Sequence, residues 1–400
     1  MTSPFPVRPT REVALVLLAL ALSLVPGQAR PDDLRDDDGC RARAGARREA
    51  EPCDPVVVRF ATVGDSREEA GAAYLNAQDR IWLQNTRVWS RIMREIQTHR
   101  PQLLFFNGDM IMGYQDAGVA ANHEAMNRQY AFWRGMVTQL LETGTYVVPV
   151  PGNHETQQKG KDAAGKTFKL SRPANEVLWR DNMGDLIVDA GRFAAITGAA
   201  PARVSATSPS DPATASADHI TTDQAQLTYS FDVGTAHFTV LNTDPVGYDA
   251  HVPLAWLEAD LRAARAAGAR SFFVFGHKPA FTYFYPLASG VPTTATNGLD
   301  SLADLSNRDA FWGLVEQYGA SYFCGHEHIY DVMQPAGGRA WQVIVGSGGS
   351  PFEADAVQPI DRTYAYAVVE VHASGRAEAT TYGFGEAQGL TTVLKRWRLR

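Results

Sequence analysis

Residues 56–65 read Val-Val-Val-Arg-Phe-Ala-Thr-Val-Gly-Asp. A β-branched apolar run closed by glycine and a carboxylate is the signature of a buried strand that opens straight into a polar turn. The same ending recurs down the chain. Leu103–Phe106 leads to Gly108-Asp109, and Tyr146–Val150 leads to Gly152-Asn153-His154-Glu155. Phe272–Phe275 leads to Gly276-His277, and Tyr322–Cys324 to Gly325-His326-Glu327-His328. Five strand exits therefore carry glycine followed at once by a residue able to ligate a metal. In open α/β sheets, sites form beyond the carboxyl ends of strands. Glycine there turns the chain sharply without a side chain obstructing the site.

Between these strands lie segments of helical period. Ile81, Val88, Trp89, Ile92 and Ile96 predict one helix closed by Pro101, and Met126 to Leu141 predict another. Further on, the pattern predicts a hairpin (Leu227–Val233, His237–Leu241) and helices around Leu254–Leu261 and Phe311–Tyr318. Strands near Trp341–Val345 and Tyr364–Val371 follow. The alternation is that of an α/β domain.

The 400 residues, 45% hydrophobic and 20% charged, suffice for a large core and exclude collagenous or low-complexity classes. With 37 basic against 44 acidic residues the net charge is -7, a balance unsuited to gripping a nucleic-acid backbone. Three cysteines are too few for a disulfide scaffold. Residues 1–29 read as a secretory signal peptide: Arg8 and Arg11, an apolar core Val13–Val25, then small residues at Gly27 and Ala29. That core is shorter than the roughly 20 residues of a membrane span. The expectation is a secreted or periplasmic protein with no transmembrane anchor after cleavage. Residues 30–55 read as a charged flexible leader in which Cys40 and Cys53 could pair. The folded domain is expected over 56–400, with an alanine-, serine-, threonine- and proline-rich mobile insertion near 198–218.

Carboxylate, amide oxygen and imidazole without thiolate suit zinc, manganese or iron. Two such ions about 3.5–4 Å apart can bind a phosphate ester and activate water. The order GD, GD, GNHE, GH, GHEH resembles the calcineurin-like metallophosphoesterases, from about Val56 to the final strands. Tyr229-Ser230-Phe231-Asp232, Trp256-Leu257 and Gly346–Gly349 are similar to the family's supporting segments. The resemblance implies a four-layer αββα sandwich of two mixed β-sheets flanked by helices. It implies one metal held by Asp65, Asp109 and His328, and a second by Asp109, Asn153, His277 and His326. His154 would be a non-ligand that contacts phosphate or protonates the leaving group, with Glu155 placed to orient it.

One position departs from the pattern. The family's usual histidine ligand two residues after the first aspartate is here Arg67. The tyrosine that purple acid phosphatases place three residues after the bridging aspartate is here Met112; Tyr114 reaches the site only through an unusual turn. Arg67 reads either as a phosphate clamp or as a surface arginine paired with Glu68 or Glu69. Tyr283, Phe284 and Tyr285 read as a cleft wall or as packing. The function expected is exported, two-metal hydrolysis of a phosphate ester. The alternative is a catalytically silent relative that binds metal or phosphate as an interaction module. A bimetal amide hydrolase is a third class, which the asparagine-histidine-glutamate run disfavours.

Overall fold

The computed structural model describes residues 54–69, 71, 76–116, 121–205, 217–283, 297–300, 305–352 and 360–400. The expected signal peptide, Cys40, Cys53, Phe284 and Tyr285 lie outside them.

In chain order the elements are β1 (Val56–Val63), α1 (Ala77–Trp82), α2 (Thr86–Thr98), β2 (Leu103–Phe106), β3 (Gln115–Asp116), α3 (Ala121–Glu142) and β4 (Tyr146–Pro149). A single turn, α4 (Asn153–Thr156), leads into β5 (Gln157–Lys161), β6 (Thr167–Ser171), α5 (Pro173–Met183), α6 (Ala190–Thr197) and β7 (Ala202–Ser205). Next come β8 (Tyr229–Val233), β9 (Ala236–Val240), α7 (Leu254–Ala266), β10 (Ser271–Phe275), α8 (Leu305–Tyr318) and β11 (Ser321–Cys324). The chain ends in β12 (Tyr330–Met333), β13 (Trp341–Val345), β14 (Tyr364–His372), β15 (Ala377–Phe384) and β16 (Thr392–Arg398).

Two mixed sheets form the centre. One has six strands in the order β16-β15-β14-β1-β2-β4, the other seven in the order β12-β13-β11-β10-β9-β8-β7. Within the first, β1, β2 and β4 are parallel; within the second, β9, β10, β11 and β13 are parallel. Strand residues alternate between two apolar layers because successive side chains point to opposite faces. Phe105 faces inward and stacks on Phe275 of the other sheet at 3.7 Å, whereas Phe106 faces outward onto Trp89 of α2 and Trp133 of α3. Likewise Phe273 lies edge-on to Phe60 between the sheets, and Phe272 packs outward against Tyr318 of α8. With both faces of the central strands buried, helices must cover each outer face, giving the αββα sandwich. Cys324 belongs to the outer layer and burial pushes its thiol well up, as suits a core residue.

Three expectations need adjustment. The helix expected through Ile81 to Ile96 is two helices, broken where Leu83 takes a left-handed φ of 53° and Asn85 caps α2 by accepting from Val88 N–H. Ile81, 69% exposed, is therefore not on the buried face. Within the stretch read as an insertion, Ala202–Ser205 is an edge strand paired to β8. A small third sheet, β3-β5-β6, was not anticipated, its one alternating strand, Thr167–Ser171, being only five residues long. Among the described residues no helix is long and apolar enough to cross a membrane.

His237 is structural. Buried on β9, it bonds Asp232 Oδ1 at 2.6 Å and Asp260 Oδ2 at 2.9 Å. Burial opposes its charge, but the bonds to these two carboxylates outweigh that and push it up to about 9. A base whose folded pKa is raised contributes stability below its unfolded value of about 6.5, and that contribution is lost as pH climbs to about 9. Wild type should exceed His237→Gln by on the order of 2–3 kcal/mol at pH 6, and by much less at pH 9.5. Urea unfolding at the two pH values checks this; a gap independent of pH would show that the imidazolium contributes nothing.

Candidate metal centre

The parallel strands bring their carboxyl ends to one edge of the sandwich, and the five glycine exits converge there. Two exits show why glycine is required. A Cβ on Gly108, whose φ is +84°, would lie 2.5 Å from His277 Nδ1, and one on Gly325 would lie 2.1 Å from Asp65 Oδ2. The residues beside them are bent hard: Asp65, Asp109 and His326 have φ of 60°, 52° and 71°. Non-glycine residues in this region carry of the order of 1–3 kcal/mol of strain each, which the surroundings must hold. The Gly346–Ser350 loop does so at Asp65, with Gly348 N–H donating to Gly64 O and Ser350 N–H to Asp65 O, both at 2.9 Å.

Among the described residues two groups could hold a metal ion, each with its donor atoms within 4.8 Å of one another: Asp109, His277 and His326, and Asp65, Asp109 and His328. Asp109 is common to both, and all of these side chains are buried or nearly so. Asn153 joins the first group, its Oδ1 lying 2.9 Å from His277 Nε2 and 2.8 Å from His326 Nδ1. His277 donates Nδ1–H to the Asn107 carbonyl at 2.7 Å, which leaves Nε2 as the bare nitrogen of the neutral ring. That nitrogen lies 3.0 Å from His326 Nδ1 and 3.1 Å from Asp109 Oδ1. With the His277 lone pair, Asn153 Oδ1, Asp109 Oδ1 and His326 Nδ1 gathered so closely, the residues fit a metal ion. Without one, a proton serves: burial resists charge on His277, but Asp109 outweighs it and pushes the ring up to about 10. Metal uptake would displace that proton. Burial raises Asp109 too, yet His154, His277 and Arg67 together hold it well below the usual carboxylate range.

The other group differs. Arg67 is not at the surface; its side chain is 9% exposed, and Glu69, 3.8 Å away, is largely solvated. The guanidinium lies among the ligands instead. Its Nε is 3.3 Å from Asp109 Oδ2 and its Nη2 3.3 Å from His328 Nε2.

His154 belongs to neither group. Its backbone N–H donates to Asp109 Oδ1 at 3.1 Å, and its Nε2 lies 3.6 Å from Asp109 Oδ2. The ring's Nδ1 faces the Met112 carbonyl, so the neutral ring presents Nε2 as a lone pair. Burial, then the Arg67 charge, hold it well below the ordinary histidine value.

Glu155 corrects its expected role. It does not orient His154. Its Oε2 accepts from Asp109 N–H (2.9 Å) and Gly152 N–H (2.8 Å), and its Oε1 from Met110 N–H (3.0 Å) and Ile111 N–H (3.1 Å). This buried carboxylate shapes the turn that presents Asp109.

Tyr114 does reach the site. Gly113 and Tyr114 take consecutive φ of 50° and 48°, the unusual turn that the distance from Asp109 required. The Tyr114 hydroxyl accepts from Asn153 Nδ2, fixing the amide so that Oδ1 faces the two histidines. Burial and Asp109 raise its pKa, so it stays a phenol. Tyr283 is packing: buried, it donates N–H to Glu327 and its hydroxyl to Asp361.

A sixth strand exit escaped the sequence reading. β9 leads into Leu241-Asn242-Thr243-Asp244, without glycine, and buried Asp244 pairs with Lys278 at 2.6 Å. That ion pair anchors the residue next to His277. The only sequence signal was an acidic residue four places beyond a strand.

Residues 63–330, more than half of the chain, match the family model described as calcineurin-like phosphoesterase. No curated protein matches the chain. Among solved structures it resembles a purple acid phosphatase from yellow lupin (Lupinus luteus) seeds, at 13% identity and a TM-score of 0.50, over 85% of this chain and 53% of that one. The chain thus spans about half the length of the lupin protein. A dimetal phosphatase from Danio rerio is similar at 14% identity over 85% and 100% of the two chains, with a TM-score of 0.46. So is GAP50, described as the anchor in the inner membrane complex of Plasmodium, at 14% identity over 85% and 88%, with a TM-score of 0.42. At these identities the likeness is one of fold.

Proposed function

The chain belongs to the calcineurin-like phosphoesterase family, and we propose that it is an exported, metal-dependent hydrolase of phosphoric esters. The observation that carries the reading is the cluster of Asn153, His277 and His326 acceptors around shared Asp109, with the non-ligand His154 beside it. Export rests on the leader sequence, Arg8 to Ala29, and implies a secreted or periplasmic catalytic domain over 56–400.

Asp109, Asn153, His277 and His326 would hold metal, with zinc, manganese and iron all suited to the donors. A bound ion supplies Lewis acidity, polarising a phosphoryl oxygen and easing deprotonation of water. The chain's own residues do the rest. Asn107 fixes the His277 tautomer, Tyr114 turns Asn153, and Glu155 holds the Asp109 turn. Asp65 and His328 extend the polar floor, and Arg67 adds a fixed positive charge facing the phosphate. With an anionic substrate bound, His154 would take up a proton at Nε2 and pass it to the leaving oxygen.

The silent-relative reading has one observation in its favour: Arg67 engages His328 and Asp109, where the family has metal and a histidine. Metal analysis of the mature protein, with monoester and diester assays run in parallel, separates the two. We expect bound metal and turnover of at least one ester, lost on chelation and restored by zinc, manganese or iron. Metal-loaded protein inert toward both ester classes would establish the silent relative.

A further inference from the structure

The Asp65–Asp109–His328 group already contains its cation. We propose that the Arg67 guanidinium occupies the place of the first metal, so that the protein holds one metal ion only, in the Asp109–Asn153–His277–His326 group. The inference rests on the metal-dependent reading above and departs from the two-ion centre that the sequence pattern implies.

His328 is the decisive residue. It donates Nδ1–H to the Pro351 carbonyl at 2.7 Å, so Nε2 has the ring's one available lone pair. That lone pair faces Arg67 Nη2 at 3.3 Å. A metal ion in this group would need the same lone pair. Asp109 Oδ2 accepts from Arg67 Nε at 3.3 Å, while Oδ1 remains directed at His277, 3.1 Å away. Asp109 would therefore link the guanidinium to an ion held by the other group. Asp65 accepts the His326 backbone N–H on both oxygens, at 3.2 and 3.1 Å, so its carboxylate braces the His326 turn.

The Arg67 main chain is fixed and its side chain is 9% exposed. Its backbone N–H donates to Asp109 O at 3.3 Å, and its carbonyl accepts from Ser350 Oγ at 2.8 Å. Its Nη1 lies against Met112 Sδ at 3.8 Å, the position where a tyrosine ligand is missing. An ion added among these groups would sit within contact of a buried, permanently charged guanidinium, and like charges at such range repel strongly. Across the site, among the described residues, no guanidinium contacts the Asp109–Asn153–His277–His326 group on the His277 side. A planar cation that also forms directed hydrogen bonds can do what the absent ion would, holding Asp109 in place and facing an anionic phosphoryl group.

Titration of the chelator-stripped full-length mature protein with Mn(II), read by elemental analysis and electron paramagnetic resonance, tests this without relying on turnover. Wild type should bind one equivalent and give the spectrum of an isolated ion. Arg67→Lys, which keeps the charge, should also bind one. Arg67→His should bind two, with the magnetic coupling of a bridged pair, and Arg67→Ala should gain a weaker second equivalent, which keeps the test open if one variant folds poorly. Two equivalents in wild type, or one in both Arg67→His and Arg67→Ala, would overturn the inference while leaving the hydrolase reading intact. No bound metal in any form would overturn both.

Discussion

His154→Ala should retain its metal and lose about 10²- to 10⁴-fold in kcat/KM toward an alkyl phosphate, the usual contribution of a general acid–base group. The expectation follows from where the ring sits. His154 is outside both ligand groups, yet its Nε2 is 3.6 Å from the bridging carboxylate oxygen of Asp109. Its Nδ1 is committed to the Met112 carbonyl, so only Nε2 can exchange a proton with substrate. Two further readouts identify the role. Aryl esters with good leaving groups need little protonation, so the loss should shrink toward p-nitrophenyl phosphate. Burial and then Arg67 hold the ring well below the ordinary histidine value, so the acid form is scarce at neutral pH. A bound phosphate anion raises that pKa, and turnover should fall as pH rises through it. In the alanine variant this limb of the profile should flatten. Metal content falling in parallel with activity would show instead that His154 is a ligand.

What could be read from the sequence depended on whether the physics acts through side-chain type or through backbone geometry. The five strand exits were legible because a site at strand ends demands ligand-type side chains there and room for the chain to turn. The paired burial of Phe105 and Phe106, or Phe272 and Phe273, was likewise implicit in apolar runs with no polar alternation. The break between α1 and α2 was not, because it hangs on Leu83 taking a left-handed conformation that leucine rarely adopts. The sheet β3-β5-β6 was hidden because β5, Gln157–Lys161, has no apolar residue, and the alternation of Phe168 and Leu170 in β6 spans only five residues. Arg67 was visible as a departure, but its contacts with His328 and Asp109 depend on the fold bringing together residues 261 and 42 positions apart. Glu155 was misread for a related reason. Its partners are backbone N–H groups, which every residue but proline has, so no residue type could announce them.

Glu155 therefore yields the sharpest test of structural role. Each of its oxygens accepts two backbone N–H groups at 2.8–3.1 Å, from Gly152 and from the turn Asp109–Ile111. In Glu155→Gln one oxygen becomes an amide NH2, which cannot accept and instead faces two other donors. Two charge-assisted bonds of about 1.5–3 kcal/mol are lost, so the variant should be destabilised by about 3–6 kcal/mol. Against a typical total of about 5–15 kcal/mol this is a large fraction. Urea unfolding should show a lower midpoint with an unchanged slope, as expected when native contacts alone are lost. Metal affinity should fall too, since the turn that sets Asp109 at its φ of 52° loses its support. A residue that merely oriented His154 would behave differently: turnover would drop and the pH profile would shift, while stability and metal content stayed near wild type. That pattern in Glu155→Gln would restore the orienting role and exclude the clamp.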